Sequence, residues 1–121
     1  MALKPSYNDK LHLPGLSKTE ILILALEASQ KLEWNIEEVT PEGARFEVPF
    51  NMYSHGEEIT FTIEPGSDGE VAVRSQSSSV QFVDYGKNRK NIQKLRETME
   101  EIKTSLTPIV LTQKAKDFEE E

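Results

Sequence analysis

From Glu58 to Glu64 the chain reads Glu-Ile-Thr-Phe-Thr-Ile-Glu, polar and apolar by turns without a break. Successive side chains of a strand point to opposite faces, so this stretch can bury Ile59, Phe61 and Ile63 while Thr60 and Thr62 stay wet. The same period appears on either side of it. Ala44, Phe46, Val48 and Phe50 alternate with Arg45 and Glu47, and Val71, Val73, Ser75 and Ser77 share one side of Glu70 to Ser78. Trp34 to Glu37 leads a further strand. The joints are turn sequences: Thr40-Pro41-Glu42-Gly43 has proline early and glycine last, as a type I turn prefers, and Pro65 to Gly69 closes the next hairpin. Pro49 has no N–H for a ladder, which places that end of its strand at an edge or bulge.

Helical periodicity brackets these strands. Ser17-Lys18-Thr19-Glu20 is a capping box, in which the Ser17 hydroxyl accepts from the N–H of Glu20 and the Glu20 carboxylate accepts from the N–H of Ser17. Ile21, Leu24, Ala25, Ala28 and Leu32 follow at helical spacing, so residues 18–33 should lie on a core. Leu22, Ile23 and Leu26 widen the apolar stripe, which suits a deeply seated helix or a partner. A second helix should start near Asp84 or Gly86 and run to about Leu106 on a seam of Ile92, Leu95, Met99, Ile102 and Leu106, with Pro108 marking its end.

The expected fold is therefore α+β: a four-stranded antiparallel meander in the order α-β-β-β-β-α, both helices on one face. The opposite, solvent face would carry Arg45, Glu47, Thr60, Thr62, Arg74 and Gln76. Residues 1–16 mix Lys4, Pro5, Asn8, Asp9, Pro14 and Gly15 with isolated leucines and are expected to be an irregular leader. Residues 17–106 form the domain, and residues 107–121 are an acidic tail that either continues as a short helix or frays.

Composition removes whole classes of chemistry. The 121 residues contain no cysteine, which excludes disulfides, zinc ribbons, iron-sulfur clusters and a cysteine nucleophile. A net charge of -7 argues against nucleic acid as the main partner, because duplex binding draws on cations that neutralise phosphates. Ile21 to Leu26 is the longest nearly apolar run, far short of the roughly 18 to 20 residues that span a bilayer. The N-terminal stretch lacks the basic and apolar regions of a secretory signal, so the expected location is the cytoplasm, with the chain a monomer.

Charge is segregated along the chain. From Glu27 to Glu70 eleven acidic residues stand against Lys31 and Arg45, whereas Tyr85 to Arg96 carries Lys87, Arg89, Lys90, Lys94 and Arg96 and no acid. Cations in the first turns of a helix oppose its macrodipole, so helix stability alone does not select them. Either they form an anion site with backbone N–H groups, or they are a solvated face offsetting the acidic strands. Ser75 to Ser79 precede this segment and could add hydroxyls or satisfy backbone at a strand end. Serine hydrolysis needs an adjacent base. The two histidines, His12 in the leader and His55 in a loop, fit no triad. His55 with Glu57 and Glu58 matches no established metal spacing, and no glycine-rich phosphate loop is present. No cofactor or metal is expected.

Arg74-Ser75-Gln76-Ser77, followed by Asp84-Tyr85-Gly86-Lys87-Asn88-Arg89-Lys90-Asn91-Ile92, resembles a small uncharacterised bacterial domain. Its members end a strand with Ser-x-Ser and enter a final helix through Asp-aromatic-Gly-Lys-Asn-Lys-Lys-Asn-Ile. Arg89 replaces the usual lysine, and Ser79 stands near a frequent glycine. The likeness covers roughly Ser17 to Leu106. A looser likeness is to a second bacterial family with Ser-x-Ser and Asp-x-Gly-x-Asn before its last helix. The first domain occurs alone or ahead of the membrane segments of rhomboid-like proteins, and neither family carries an assigned activity. What the resemblance implies is a fold, with function left open. The absence of a catalytic constellation together with the basic junction points to a non-enzymatic interaction or regulatory module with an unidentified protein partner, and the rhomboid-like relatives suggest that this partner is membrane-associated. The alternative is a small-ligand or anion site using Ser75, Ser77, Asp84, Gly86, Lys87, Asn88, Arg89 and Lys90. Within that motif Asp84 could cap the helix, Gly86 allows positive φ, and Asn88 and Asn91 could bond locally.

Overall fold

The computed structural model describes residues 5–49, 56–78 and 86–120. Its element order is β1 (Ser6–His12), α1 (Lys18–Lys31), β2 (Asn35–Thr40), β3 (Gly43–Val48), β4 (Glu57–Ile63), β5 (Glu70–Ser77), α2 (Lys87–Ser105) and α3 (Pro108–Glu119). The fold is α+β, and the β2 to β5 meander lies where the alternation put it. Two counts differ from expectation among the described residues: the sheet has five strands in the order β1-β5-β4-β3-β2, and there are three helices.

The extra strand is the supposed leader. β1 pairs antiparallel with β5 from Ser6↔Gln76 to His12↔Glu70. Tyr7, Asp9 and Leu11 face inward, and the polar Asp9 in that set hides the alternation. At an edge strand an inward charge serves a purpose, because it discourages pairing with another chain. Here Asp9 is answered by Arg96 of α2 at 2.7 Å. The strand end is held by Leu13 N–H donating to the Gly69 carbonyl at 2.8 Å, and Gly15 N–H donating to Asp68 Oδ1 at 3.0 Å.

The other correction concerns the tail. Thr107 caps α3, its hydroxyl accepting from Val110 N–H at 3.2 Å, and Pro108 opens the helix where a missing N–H costs nothing. Proline thus marks both an end and a beginning. α3 buries Leu111 and Ala115 and packs on α1 through Lys114 to Glu27 and Thr112 to Glu20. The third helix explains the width of the apolar stripe on α1, since Ile23 shares the helix face of Glu20 and Glu27 and is buried.

α1 begins at the capping box as read, with both reciprocal bonds present at 2.9 and 3.1 Å. The inner face of the sheet, including Phe46, Ile59, Phe61, Val71 and Val73, joins Leu24, Ala28, Leu95 and Met99 in one buried cluster. β2 departs from the rule of one covered face. Its residues are all exposed, and a bulge between Ile36 and Glu38 twists the edge.

Candidate functional site

The strand-to-helix junction is a buried polar cluster. Ser75 and Ser77 point inward from β5, Glu57 inward from the start of β4, and Asn88 and Asn91 lie on the covered side of the first turns of α2. Gly86 is the N-cap at φ 77°, a left-handed conformation that suits glycine, and it lets the chain swing into the helix with Asn88 facing the sheet.

The hydrogen bonds run in one direction through the cluster. Asn91 Nδ2 donates to Glu57 Oε1 at 2.9 Å and to Ser75 Oγ at 3.2 Å. The Ser75 hydroxyl donates to Asn88 Oδ1 at 2.7 Å. Asn88 Nδ2 then donates to Ser77 Oγ and to the Pro5 carbonyl, both at 3.1 Å. A carbonyl only accepts, so Pro5 fixes which end of the Asn88 amide faces β1. Both N–H bonds of each asparagine amide are thereby used. Ser77 N–H donates to the same Pro5 carbonyl at 2.9 Å, and Ser78 N–H to the Gly56 carbonyl at 3.0 Å, so β1, β4, β5 and α2 meet at one corner.

Of the residues singled out from sequence, Ser75, Ser77 and Asn88 are brought into direct contact, with Gly86 beside them. Their bonds are tertiary rather than local. Lys87 is half-buried at the helix start, whereas Arg89 and Lys90 project outward. Asp84 lies outside the described residues, as do Ser79 and His55, and the capping position expected for Asp84 is held by Gly86. Glu57 and Glu58 point to opposite faces of β4, one buried and one exposed, which separates two members of the supposed metal cluster.

Sequence reasoning missed Glu57, Pro5 and the pair Asp9–Arg96. Glu57 lies one residue before the strand expected from Glu58, yet it continues the inward set of Ile59, Phe61 and Ile63. The Arg96 guanidinium hydrogen-bonded to Asp9, aided by the Lys10 N–H and by the charge of Arg89, holds the Asp9 carboxyl below its ordinary 3.8. Lys90 and Lys94 have no ion-pair partner among the described residues.

Among the described residues no helix is long and apolar enough to cross a membrane. No curated protein matches the chain. Residues 5–99 match the family model described as a protein of unknown function, DUF1499, a span that takes in β1 as well as the junction and stops inside α2; the chain belongs to that family.

Proposed function

We propose that the chain is a non-catalytic interaction module that presents the basic first turns of α2 to an acidic surface of a protein partner. The observation that carries this reading is the burial of the polar cluster. Ser75 is fully buried between two asparagine amides, so among the described residues its hydroxyl meets no base to activate it and no opening for a substrate. A buried cluster whose bonds tie β4, β5 and Pro5 to α2 serves to hold that helix at a fixed angle, and what it holds outward is Arg89, Lys90 and Lys94. The alternative of an anion site shared between these cations and the serines is less well supported, because Ser75 and Ser77 turn away from solvent. A cytoplasmic monomer whose partner is a membrane protein is the form of this proposal that the rhomboid-like resemblance favours.

The test is co-purification from the native cell with the intact chain as bait, beside a bait carrying Arg89→Glu, Lys90→Glu and Lys94→Glu. The charge-reversed bait should unfold at a midpoint no lower than the native chain's, because glutamates in the first turn of α2 suit the helix dipole. An acidic partner retained at low salt, released at high salt and lost from the charge-reversed bait supports the reading, since exposed charges are screened beyond about 10 Å at 0.1 M. Equal recovery by both baits, or turnover abolished by Ser77→Ala in a hydrolase and transferase panel, would overturn it.

A further inference from the structure

The two edges of the sheet are guarded unequally. At the β1 edge the Leu13 N–H bonds to the Gly69 carbonyl beside β5, so by strand alternation Asp9 and Leu11 spend their backbone groups on β5 and Lys10 turns its own outward. Both are taken. The Lys10 N–H donates to Asp9 Oδ1 at 2.8 Å, and the Arg96 guanidinium donates to the Lys10 carbonyl at 3.4 Å. A further strand cannot add there without breaking these bonds. At the β2 edge the alternation is set by the Ile63 N–H, which bonds to the Glu42 carbonyl. Gly43, Arg45 and Glu47 therefore face β2, where Thr40 and Glu38 answer them, and Ile36 and Val39 turn their backbone groups to the outer edge. Among the described residues no side chain bonds to either of them.

Beside that edge the sheet is apolar on one face and acidic on the other. Ile36 and Val39 stand across from Phe46 and Ala44, which are buried on the helix side, yet they stay 39% and 40% exposed themselves. The bulge sets Glu37 and Glu38 together opposite Arg45, which keeps the two apolar residues on one face. From Glu33 to Glu58 the chain has seven acids and one cation, Arg45, which reaches Glu37 at 3.6 Å and Glu38 at 3.9 Å. The open face holds depressions of about 440 Å³ between β1 and β4 and about 220 Å³ over β3, and Glu38, Glu42 and Glu58 line the second around the same arginine. Glu42 and Glu58 have no ion-pair partner among the described residues.

We propose that the outer edge of β2 takes an extended basic segment of a partner protein as an added strand, with its Lys or Arg side chains over the acidic face and two apolar side chains, at alternate positions, beside Ile36 and Val39. Main-chain bonds to Ile36 and Val39 hold such a strand, and the side-chain pattern selects it. Charge decides against a second copy of this chain. Antiparallel pairing about a two-fold axis at the middle of β2 sets Glu37 and Glu38 against the same acids of the other copy. An edge that refuses its own kind admits a strand of opposite charge, because specificity is the difference between the two affinities. This surface goes beyond the α2 reading: it lies on another element and calls for the opposite charge in its partner.

The test is an NMR titration of the intact chain with the blocked hexapeptide acetyl-KIKVKT-amide. Beside it run acetyl-KPKPKT-amide, which keeps the charge and lacks two N–H donors, and acetyl-EIEVET-amide, which keeps the donors and reverses the charge. The first should move the amides of residues 35–40 and bind about tenfold or more weaker to Val39→Pro. Since the Val39 N–H faces away from β3, proline there spares the ladder, and the unfolding midpoint checks it. Glu42→Lys with Glu58→Lys breaks no ion pair among the described residues and should weaken binding more at about 10 mM salt than at about 150 mM. If Val39→Pro fails to fold, the proline peptide and the charge variant decide the matter. Equal binding of the proline or the acidic peptide, binding unchanged in the variants, shifts centred on residues 6–12, or none at millimolar peptide overturns the proposal. Concentration-dependent shifts of residues 35–40 without peptide give the edge to a second copy and overturn it too. None of these outcomes touches Arg89, Lys90 or Lys94, so the α2 reading stands or falls by its own test.

Discussion

Asn88 is a side chain with no exposed surface that, among the described residues, bonds to Ser75, Ser77 and Pro5. Replacing it by alanine leaves the Ser75 hydroxyl without its acceptor and the Ser77 hydroxyl without its donor in a buried site, and an orphaned buried polar group costs about 1 to 3 kcal/mol. Asn88→Ala should therefore lower stability by about 2 to 3 kcal/mol in urea unfolding. A change below half a kilocalorie would mean that water repairs the gap. Glu33 is the opposite case. It sits at φ 62° just after α1, where Trp34 N–H bonds to the Ser29 carbonyl at 2.9 Å, the closing bond of a Schellman motif whose left-handed position favours glycine. Glu33→Gly should stabilise the chain by about 0.5 to 1 kcal/mol, the relief of left-handed strain exceeding the entropy lost by glycine, and thermal unfolding measures it.

At the scale of elements, β1 decides whether β5 is an edge or an interior strand. Gly69 is part of that docking, because a Cβ there would lie 2.1 Å from the Leu13 carbonyl oxygen, and its φ is 77°. Gly69→Ala should cost about 2 kcal/mol or more and raise amide exchange along β1 and β5, whereas Gly66→Ala, with open space around it, carries only the backbone strain. The Asp9–Arg96 pair ties the same strand to α2. Since folding lowers the Asp9 pKa, its contribution is present above 3.8 and is lost as the pH falls below that value. With side chains 36% and 42% exposed the effect is screened and small. Thermal unfolding between pH 2 and 6 should fall less steeply for Asp9→Asn than for the native chain, and identical slopes would show the pair to be idle. The strands with clean alternation and the capped helix were legible in the sequence, because there local pattern and burial agree. β1 was not legible, since its inward set includes a charge whose partner is 87 residues away. α3 was left open because Pro108 stops one helix and starts another.

For the molecule as a whole, the sheet supplies a rigid slab with two unlike faces, one sealed by helices and one displaying charge in rows. Pattern in the sequence located Ser75, Ser77 and Asn88 together, and the Ser-x-Ser and Asn-x-x-Asn spacings were the visible trace of the cluster. It could not reveal that those groups bond to one another, because that depends on α2 crossing above β5. The depressions on the open face of the sheet were hidden for a similar reason, as their linings are drawn from five separate strands. Segregated charge is what reaches solvent at long range. The ten residues from Lys87 to Arg96 hold five of the 14 cations and no acid, leaving nine cations against 21 acids in the rest of the chain, a net of -12 against a local +5. A body so polarised orients in a field even when its net charge repels the source. At pH 7, well above an isoelectric point of about 4.9, the chain should still be retained on a sulfonate surface at about 10 mM salt, where the screening length is about 30 Å, and should elute by about 150 mM, where it is about 8 Å. Lys90→Glu with Lys94→Glu should pass straight through, while Lys103→Glu with Lys116→Glu, which changes net charge equally, should remain bound. Equal loss of retention in the two double variants would mean that net charge alone governs what this surface meets.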